Sequence, residues 1–433
     1  MHPPDGGLGR QRRRLALATH VAALAAVRRK RRAKWIWGGE AAAVQPEGRA
    51  NPHQTLATAN NRVGLTRLLD ELRTAHRARY ESDDDLYVGL QLTHSGRFSR
   101  PTAAGPQPRI AYHHPVLDRR LGIAADDDAP VLSDEEIARL IDAYVTAADL
   151  AQGAGFDFVD VKSCHGYLMH EFLGAHTRPG PYGGDFDGRT RLLTTVIGRI
   201  RDACPDLDVA VRLSAFDTVP YETAMTQAGE RSGRPADYRD ALPYVYGFGV
   251  DPADPLRMDL SEPVRLVERL HALGVVAVNV SCGSPYYNPH IQRPAIFPPS
   301  DGYPPPEDPL VGVCRQIRAA RDLKRAVPAM VMAGTGYTYL QDYLPHVAQA
   351  VVREGWIDAV GLGRMVLSYP HLPADTLDRG AMQRKSICRT FSDCTTAPRN
   401  GMLSGCFPLD DYYKSLPEAE SLKQLKQARD TAL

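Results

Sequence analysis

The feature that most constrains this chain is a strict alternation. From residue 34 onward, short apolar or β-branched runs bounded by glycine, proline or polar turns are each followed by a segment with helical spacing. The runs are KWIWGGEAAAV (34–44), LYVGLQL (86–92), FDFVDVK (156–162), LDVAVRLSA (207–215), VVAVNVSC (275–282), PAMVMAG (328–334) and IDAVGLGR (357–364). Residues 60–79 carry Val63, Leu65, Leu68, Leu69 and Leu72 on one helical face. The helix after Ser133 has its start written in the sequence, because Glu136 stands three residues on and completes a capping box. Alternating β and α elements dictate a parallel sheet with helical crossovers. Runs that are apolar throughout read as strands buried on both faces. Seven strands are countable, whereas a (β/α)8 TIM barrel closes with eight. No good β run precedes residue 34, and residues 11–32 read as a helix. The expectation is therefore an α/β barrel whose first strand is absent or atypical.

Residues 1–33 form a segment apart. LALATHVAALAAV (15–27) is flanked by arginine clusters, and no acid occurs from Gly6 to Gly39. Thirteen apolar-rich residues are too few to span a membrane, and a basic flank on both sides does not fit a secretory signal. An Ala/Leu-rich helix with solvated arginine ends is the preferred reading, with a transit or surface-binding segment as its rival. The formal charge of +1 hides this asymmetry: beyond residue 34 the chain carries 42 basic and 50 acidic residues, a net of −8. Such a body lacks the cationic surface that phosphate backbones require. Seven cysteines in 433 residues are no disulfide scaffold, so reduced thiols and a cytoplasmic location are expected. The domain reading is a basic segment 1–33, a barrel over 34–380 with a Pro/Tyr/Gly-rich insertion at 216–258, and a tail over 381–433 packing on the barrel.

In a barrel of this kind, polar residues at the C-terminal strand ends are the candidates for chemistry. Gln91, His94, Gly96 and Arg97 end the second run; alone they would pass for a strand end with a satisfied histidine. Lys162, His165 and Tyr167 follow the third run within six residues, and a cation, an imidazole and a phenol so placed can polarise a carbonyl and supply a proton. Arg212 lies in an apolar strand and needs either a carboxylate or an electron-rich ligand. Gly334 and Gly336, with Gly363 and Arg364, end the last two runs, where barrels of this type expose backbone N–H groups to phosphate.

Taken in order, GLQLTHSGR, HGYLMHEFL, RPGPYGGDFDGRTRLL, VRLS, AGTG and GLGR resemble the Old Yellow Enzyme group of NADH:flavin oxidoreductases, most closely the barrel domain of the bacterial branch related to 2,4-dienoyl-CoA reductase. The resemblance runs from about Lys34 to about Arg364, and more loosely to Tyr413. It implies an FMN-dependent oxidoreductase that takes hydride from NADH or NADPH and passes it to an activated alkene such as an enone or enoyl thioester. By the same resemblance Ala41 lies against the flavin and Gln91 bonds its pyrimidine edge. Arg212 sits near the flavin N1 and O2, and Gly334, Gly336, Gly363 and Arg364 hold the phosphate. Groups at 162 and 165 polarise the substrate carbonyl, and Tyr167 matches the proton donor.

Three departures qualify the match. The family usually has histidine where this chain has Lys162, which exchanges a fixed imidazole for a mobile point charge. The family's first strand, which lines the flavin, is not visible. The branch carries a 4Fe–4S cluster on four cysteines, whereas Cys388, Cys394 and Cys406 are three and lack the CxxC pair, so no cluster is expected. Two other readings compete. A flavin-deficient barrel serving as an interaction subunit would explain the missing strand, and a metal-dependent hydrolase would use His165, His170 and His176. The expected partner is a small-molecule substrate, with no nucleic acid and no membrane; a homo-oligomer stays open.

Overall fold

A computed structural model of the chain describes residues 22–25, 34–38 and 41–431. Eight strands form the barrel ring, β1 (Ala22–Ala25), β2 (Lys34–Ile36), β3 (Leu86–Thr93), β4 (Phe158–Ser163), β5 (Asp208–Ser214), β6 (Ala277–Ser281), β7 (Val331–Gly334) and β8 (Ala359–Leu362), and a two-residue strand, Ala42–Ala43, pairs in parallel with the end of β3. From β2 to β8 each strand pairs in parallel with the next. Helices α1 (Arg62–Tyr80), α2 (Asp134–Ala154), α3 (Phe186–Ala203), α4 (Ser261–Ala272), α5 (Pro309–Ala326) and α6 (Leu344–Arg353) make the crossovers. The capping box at the start of α2 is present as read, with Ser133 accepting from the Glu136 N–H and Glu136 from the Ser133 N–H. The fold is the expected (β/α)8 barrel.

The first strand is where expectation and structure diverge. It is atypical, not absent: β1 runs antiparallel to both β8 and β2, with Ala22 beside Leu362 and Ile36. The ring is thereby closed. Residues 22–25 are strand and not the expected helix; the remainder of the 11–32 helix reading lies outside the described residues. The physical reason the run was missed is its composition, since AALA favours helix and only pairing on both sides makes it a strand.

The reading of strands as apolar on both faces also needs correction. Val159, Val161, Val209, Val211, Val278, Val280 and Val360 face the helices in one large core. The alternating residues form a separate cluster inside the barrel: Phe158, Ala210, Ala277, Ala333 and Ala359, with Trp35 and Trp37. Three large rings from one side of the barrel meet four alanines from the other and together fill the lower interior. Trp35 and Trp37 lie 4.6 Å apart, and the Phe158 ring meets Trp37 edge-on at 5.5 Å. Gly89 is required here, because a Cβ would stand 2.2 Å from the Phe158 ring. One step further toward the C-terminal ends, the inward positions turn polar: Gln91, Asp160, Lys162, Arg212, Ser214, Asn279 and Ser281.

Two short antiparallel hairpins, Tyr221–Met225 with Arg231–Pro235 and Val250–Asp251 with Asp254–Met258, lie between β5 and α4, within residues 216–258. Beyond β8 the chain is helical, ending in Pro417–Thr431. Among the described residues no helix is long and apolar enough to cross a membrane.

Phe158 is fully buried at the centre of the aromatic floor. Phe158→Ala is expected to lower the free energy of unfolding by about 3–5 kcal/mol. Urea denaturation followed by tryptophan fluorescence measures it; a loss below about 1 kcal/mol would mean the floor collapses around the gap and does not depend on this ring.

Candidate active site

Above the aromatic floor, at the C-terminal ends of the strands, lies a cavity of about 1350 Å³. Ala41, Gln91, Lys162, His165, Tyr167, Arg212, Gly336, Gly363 and Arg364 all line it. Of the residues singled out in the sequence, Gly334 stands apart. It ends β7 one position below the wall, its α-carbon facing Ile357 and Tyr337, and the wall there is made by Thr335 and Gly336.

The polar layer is set by register. Gln91 on β3 stands beside Asp160 on β4, and Lys162 stands beside Arg212 on β5, which stands beside Asn279 on β6. Gln91 donates from Nε2 to Asp160 Oδ2 at 2.5 Å. Arg212 settles the question its position raised. Among the described residues no carboxylate lies within ion-pair distance, and its buried Nε has no hydrogen-bond partner. Neither amide atom of the fully buried Asn279 has a partner either. Unpartnered polar atoms at this depth are costly unless a ligand or water meets them.

His165 follows β4 with φ 68°, a left-handed conformation unusual for a residue with a side chain. It is held there from both sides: its N–H donates to Ser214 Oγ at 3.1 Å, and its carbonyl accepts from Ser284 Oγ at 2.8 Å. Its Nε2 meets Ser281 Oγ at 2.9 Å. Burial, with the cations of Arg212 and Lys162 nearby, holds its pKa well below the ordinary histidine value, so the ring is neutral. Burial likewise pulls Lys162 down to about 8, with Arg212 adding to the effect. The Lys162 Nζ sits 3.8 Å above the centre of the Tyr167 ring. The Tyr167 hydroxyl pairs with that of Tyr286 at 2.9 Å, and burial raises its pKa well above the usual phenol value.

At the opposite lip, Gly336 takes φ 95°, and a Cβ at Gly363 would meet no atom within 4 Å, so its backbone is open to the cavity. Arg364 turns toward the tail, its Nη1 donating to the Cys394 carbonyl at 3.3 Å and approaching the Cys394 Sγ at 3.5 Å. Burial works against ionisation of that thiol, but Arg364 and Arg293 outweigh it and lower its pKa. Among the described residues no three His, Cys, Asp or Glu side chains gather as metal ligands.

Several neighbours of these residues prove to be structural. Arg97 is buried and spent on Asp118 and Glu171, the latter at 2.5 Å. His94 is buried and neutral, its Nδ1 accepting from the Gly96 N–H at 3.1 Å. His170 accepts from the Gly166 N–H at 2.9 Å, and His165 is committed to Ser281, so the histidine set of the hydrolase reading is dispersed into separate roles. Sequence reasoning missed Asp160, Asn279, Ser281 and Tyr286. Period-two counting along VDVK and VNVS would have found the first three, since each shares a face with an inward residue. Tyr286 comes from a loop, and nothing in the spacing points to it.

Residues 40–236 match the model of the NADH:flavin oxidoreductase / NADH oxidase family. The chain is 25% identical over 354 residues to an NADH:flavin oxidoreductase of Gibberella zeae, a match covering 77% of this chain and 71% of that one. It is 33% identical over 181 residues to an NADPH dehydrogenase of Halalkalibacterium halodurans, covering 41% of this chain. Over residues 40–236 the chain is similar to the NADH:flavin oxidoreductase family. It spans about half of that NADPH dehydrogenase, 48% of its length. Among solved structures the fold superposes on morphinone reductase with a TM-score of 0.51 at 18% identity, covering 79% of this chain and 77% of that one. It superposes on 2-naphthoyl-CoA reductase with a TM-score of 0.59 at 18% identity, covering 88% of this chain and 49% of that one. These two structural likenesses support the barrel fold, and no comparison singles out the dienoyl-CoA branch.

The depressed pKa of Lys162 carries a sign. Between about 8 and the ordinary 10.5 the unfolded chain keeps a proton that the folded chain has shed, so this residue makes stability rise with pH across that window. Denaturation at a series of pH values should show wild type gaining stability relative to Lys162→Met from pH 8 to 10. Parallel curves would show the lysine fully charged in the fold.

Proposed function

We propose that the cavity binds FMN and that the protein is an NAD(P)H-dependent oxidoreductase acting on an activated alkene, an enone or enoyl thioester. The observation that carries this is Arg212: a guanidinium on the cavity wall, its Nε buried without a partner and no carboxylate within ion-pair distance among the described residues, asks for an electron-rich ligand. The residues present fit FMN. Ala41 is a small residue on the wall, Gln91 on β3 and Arg212 on β5 offer polar groups from the layer above the floor, and Gly336, Gly363 and Arg364 form an open lip for a phosphate. Bound FMN supplies the hydride relay between nicotinamide and alkene.

The chain's own work is on the substrate. A neutral His165 has one ring N–H to give, and Ser281 and the two backbone bonds fix where it points. Hydride addition to a conjugated alkene places negative charge on the carbonyl oxygen. A fixed N–H aimed at that oxygen therefore favours the transition state over the ground state. Lys162 adds positive charge at the same end of β4, although its place over the Tyr167 ring makes it a partner of the phenol as much as of the substrate. Tyr167 holds a proton firmly and is suited to deliver it to the α carbon, with Tyr286 beside it to share the hydroxyl network. Closure of the ring by β1 removes the gap that favoured a non-catalytic scaffold.

Arg364→Ala should weaken FMN binding about ten- to hundredfold, the loss of one charge-assisted contact. Fluorescence-quenching titration measures it, and unchanged affinity would remove Arg364 from the phosphate site.

The polarising and protonating groups should act on one half-reaction alone. His165→Ala is expected to slow alkene reduction by on the order of a hundredfold while NAD(P)H still reduces the flavin at the wild-type rate. Tyr167→Phe should behave alike. Stopped-flow measurement of each half-reaction separates them, and full-rate alkene reduction in Lys162→Ala would leave that lysine a structural role.

A further inference from the structure

Asp160 is fully buried, lies in the polar layer and has no part in the reading above. It stands in register with Gln91 and accepts from the Gln91 Nε2 at 2.5 Å. Its other oxygen makes no close hydrogen bond, while the Trp37 indole and the Arg212 backbone N–H face the carboxylate and favour its charged form. A carboxylate only accepts, so it holds one orientation of the neighbouring amide and rejects the other, in which two oxygens would face each other. With Nε2 spent on Asp160, the atom Gln91 has left for the cavity it lines is its carbonyl oxygen. Burial raises the Asp160 pKa to about 6, and at neutral pH the group is still mainly an acceptor.

We infer that Asp160 is a positioning residue that locks the Gln91 amide with its oxygen toward the cavity, so that the site selects a ring edge presenting an N–H donor. The inference rests on the FMN reading, in which that donor is the N3–H of the flavin pyrimidine ring. An inverted amide would present an NH₂ group to that N–H, donor against donor. The side chain that sets cofactor selectivity would then be one that never touches the cofactor.

The test is a pair of binding titrations at pH 7.5, with FMN and with N3-methyl-FMN, which lacks the donor. Wild type should prefer FMN by roughly ten- to hundredfold, the range for leaving a buried acceptor unmet. In Asp160→Asn, where either amide orientation finds a partner, the preference should fall to within a few-fold, while a variant in which Asp160 matters only for packing would lose affinity for both flavins alike. Gln91→Ala should show no preference, and adding Asp160→Asn to it should change nothing. Full preference in Asp160→Asn overturns the inference. Should that variant fail to fold, Gln91→Glu decides. Two carboxylates this close cannot both ionise, so its FMN affinity should fall as pH rises from 5 to 8 much more steeply than that of Gln91→Ala. Equal pH profiles overturn the inference. Wild-type protein that binds FMN and its methyl analogue equally removes this inference alone; protein that binds neither removes the FMN reading with it.

Discussion

Trp35, Trp37 and Phe158 fill the lower interior of the barrel against Ala210, Ala277, Ala333 and Ala359, and the place of the cavity follows from that packing. Side chains on a strand alternate between faces, so an interior residue is followed by another interior residue two positions later. Phe158 on the floor therefore puts Asp160 and Lys162 above it, and Ala210 puts Arg212 above it. A smaller floor would let the polar layer sink into a gap, and a larger one would push the strands apart. The chemistry of the site is thus carried by an apolar arrangement one layer below it.

The polar layer has its own balance. Asp160 offsets part of the charge of Lys162 and Arg212, and two cations near His165 help keep that ring neutral. The backbone adds a second constraint, because His165 takes a left-handed conformation that Ser214 and Ser284 hold from neighbouring strand ends. Strain of this kind persists only where surrounding contacts over-determine it. Ser214 and Ser281 are small inward residues of β5 and β6, so the geometry of the β4 loop is set by the next two strands along the sheet.

Much of this was legible in the sequence. The alternation of elements is local information, and it located seven strands and their helices within a few residues. Lys162, His165, Tyr167, Arg212 and the two glycine lips were legible because the fold makes strand ends meet, so residues far apart in sequence can be assigned to one rim. What was not legible depends on partners. Ala22–Ala25 has no intrinsic strand character and becomes one only between β8 and β2. Arg97 and His94 looked as functional as Gln91, yet Asp118, Glu171 and the Gly96 N–H take them into the scaffold. Asp160 was passed over because its strand read as uniformly apolar, and a buried acid declares itself only once the inner and outer faces are told apart. Gly334 shows the opposite error: its position in a GTG run suggested a role at the lip, and it lies one residue too deep.

The sealed floor also governs traffic. With the lower interior packed by three aromatic rings and four alanines, the described residues leave the cavity facing the loops at the C-terminal strand ends. Two reactants that each need the space above one shared ring cannot wait side by side in such a vessel; the first must be gone before the second arrives. On the proposed flavin reading, the order of events then follows from the shape of the container.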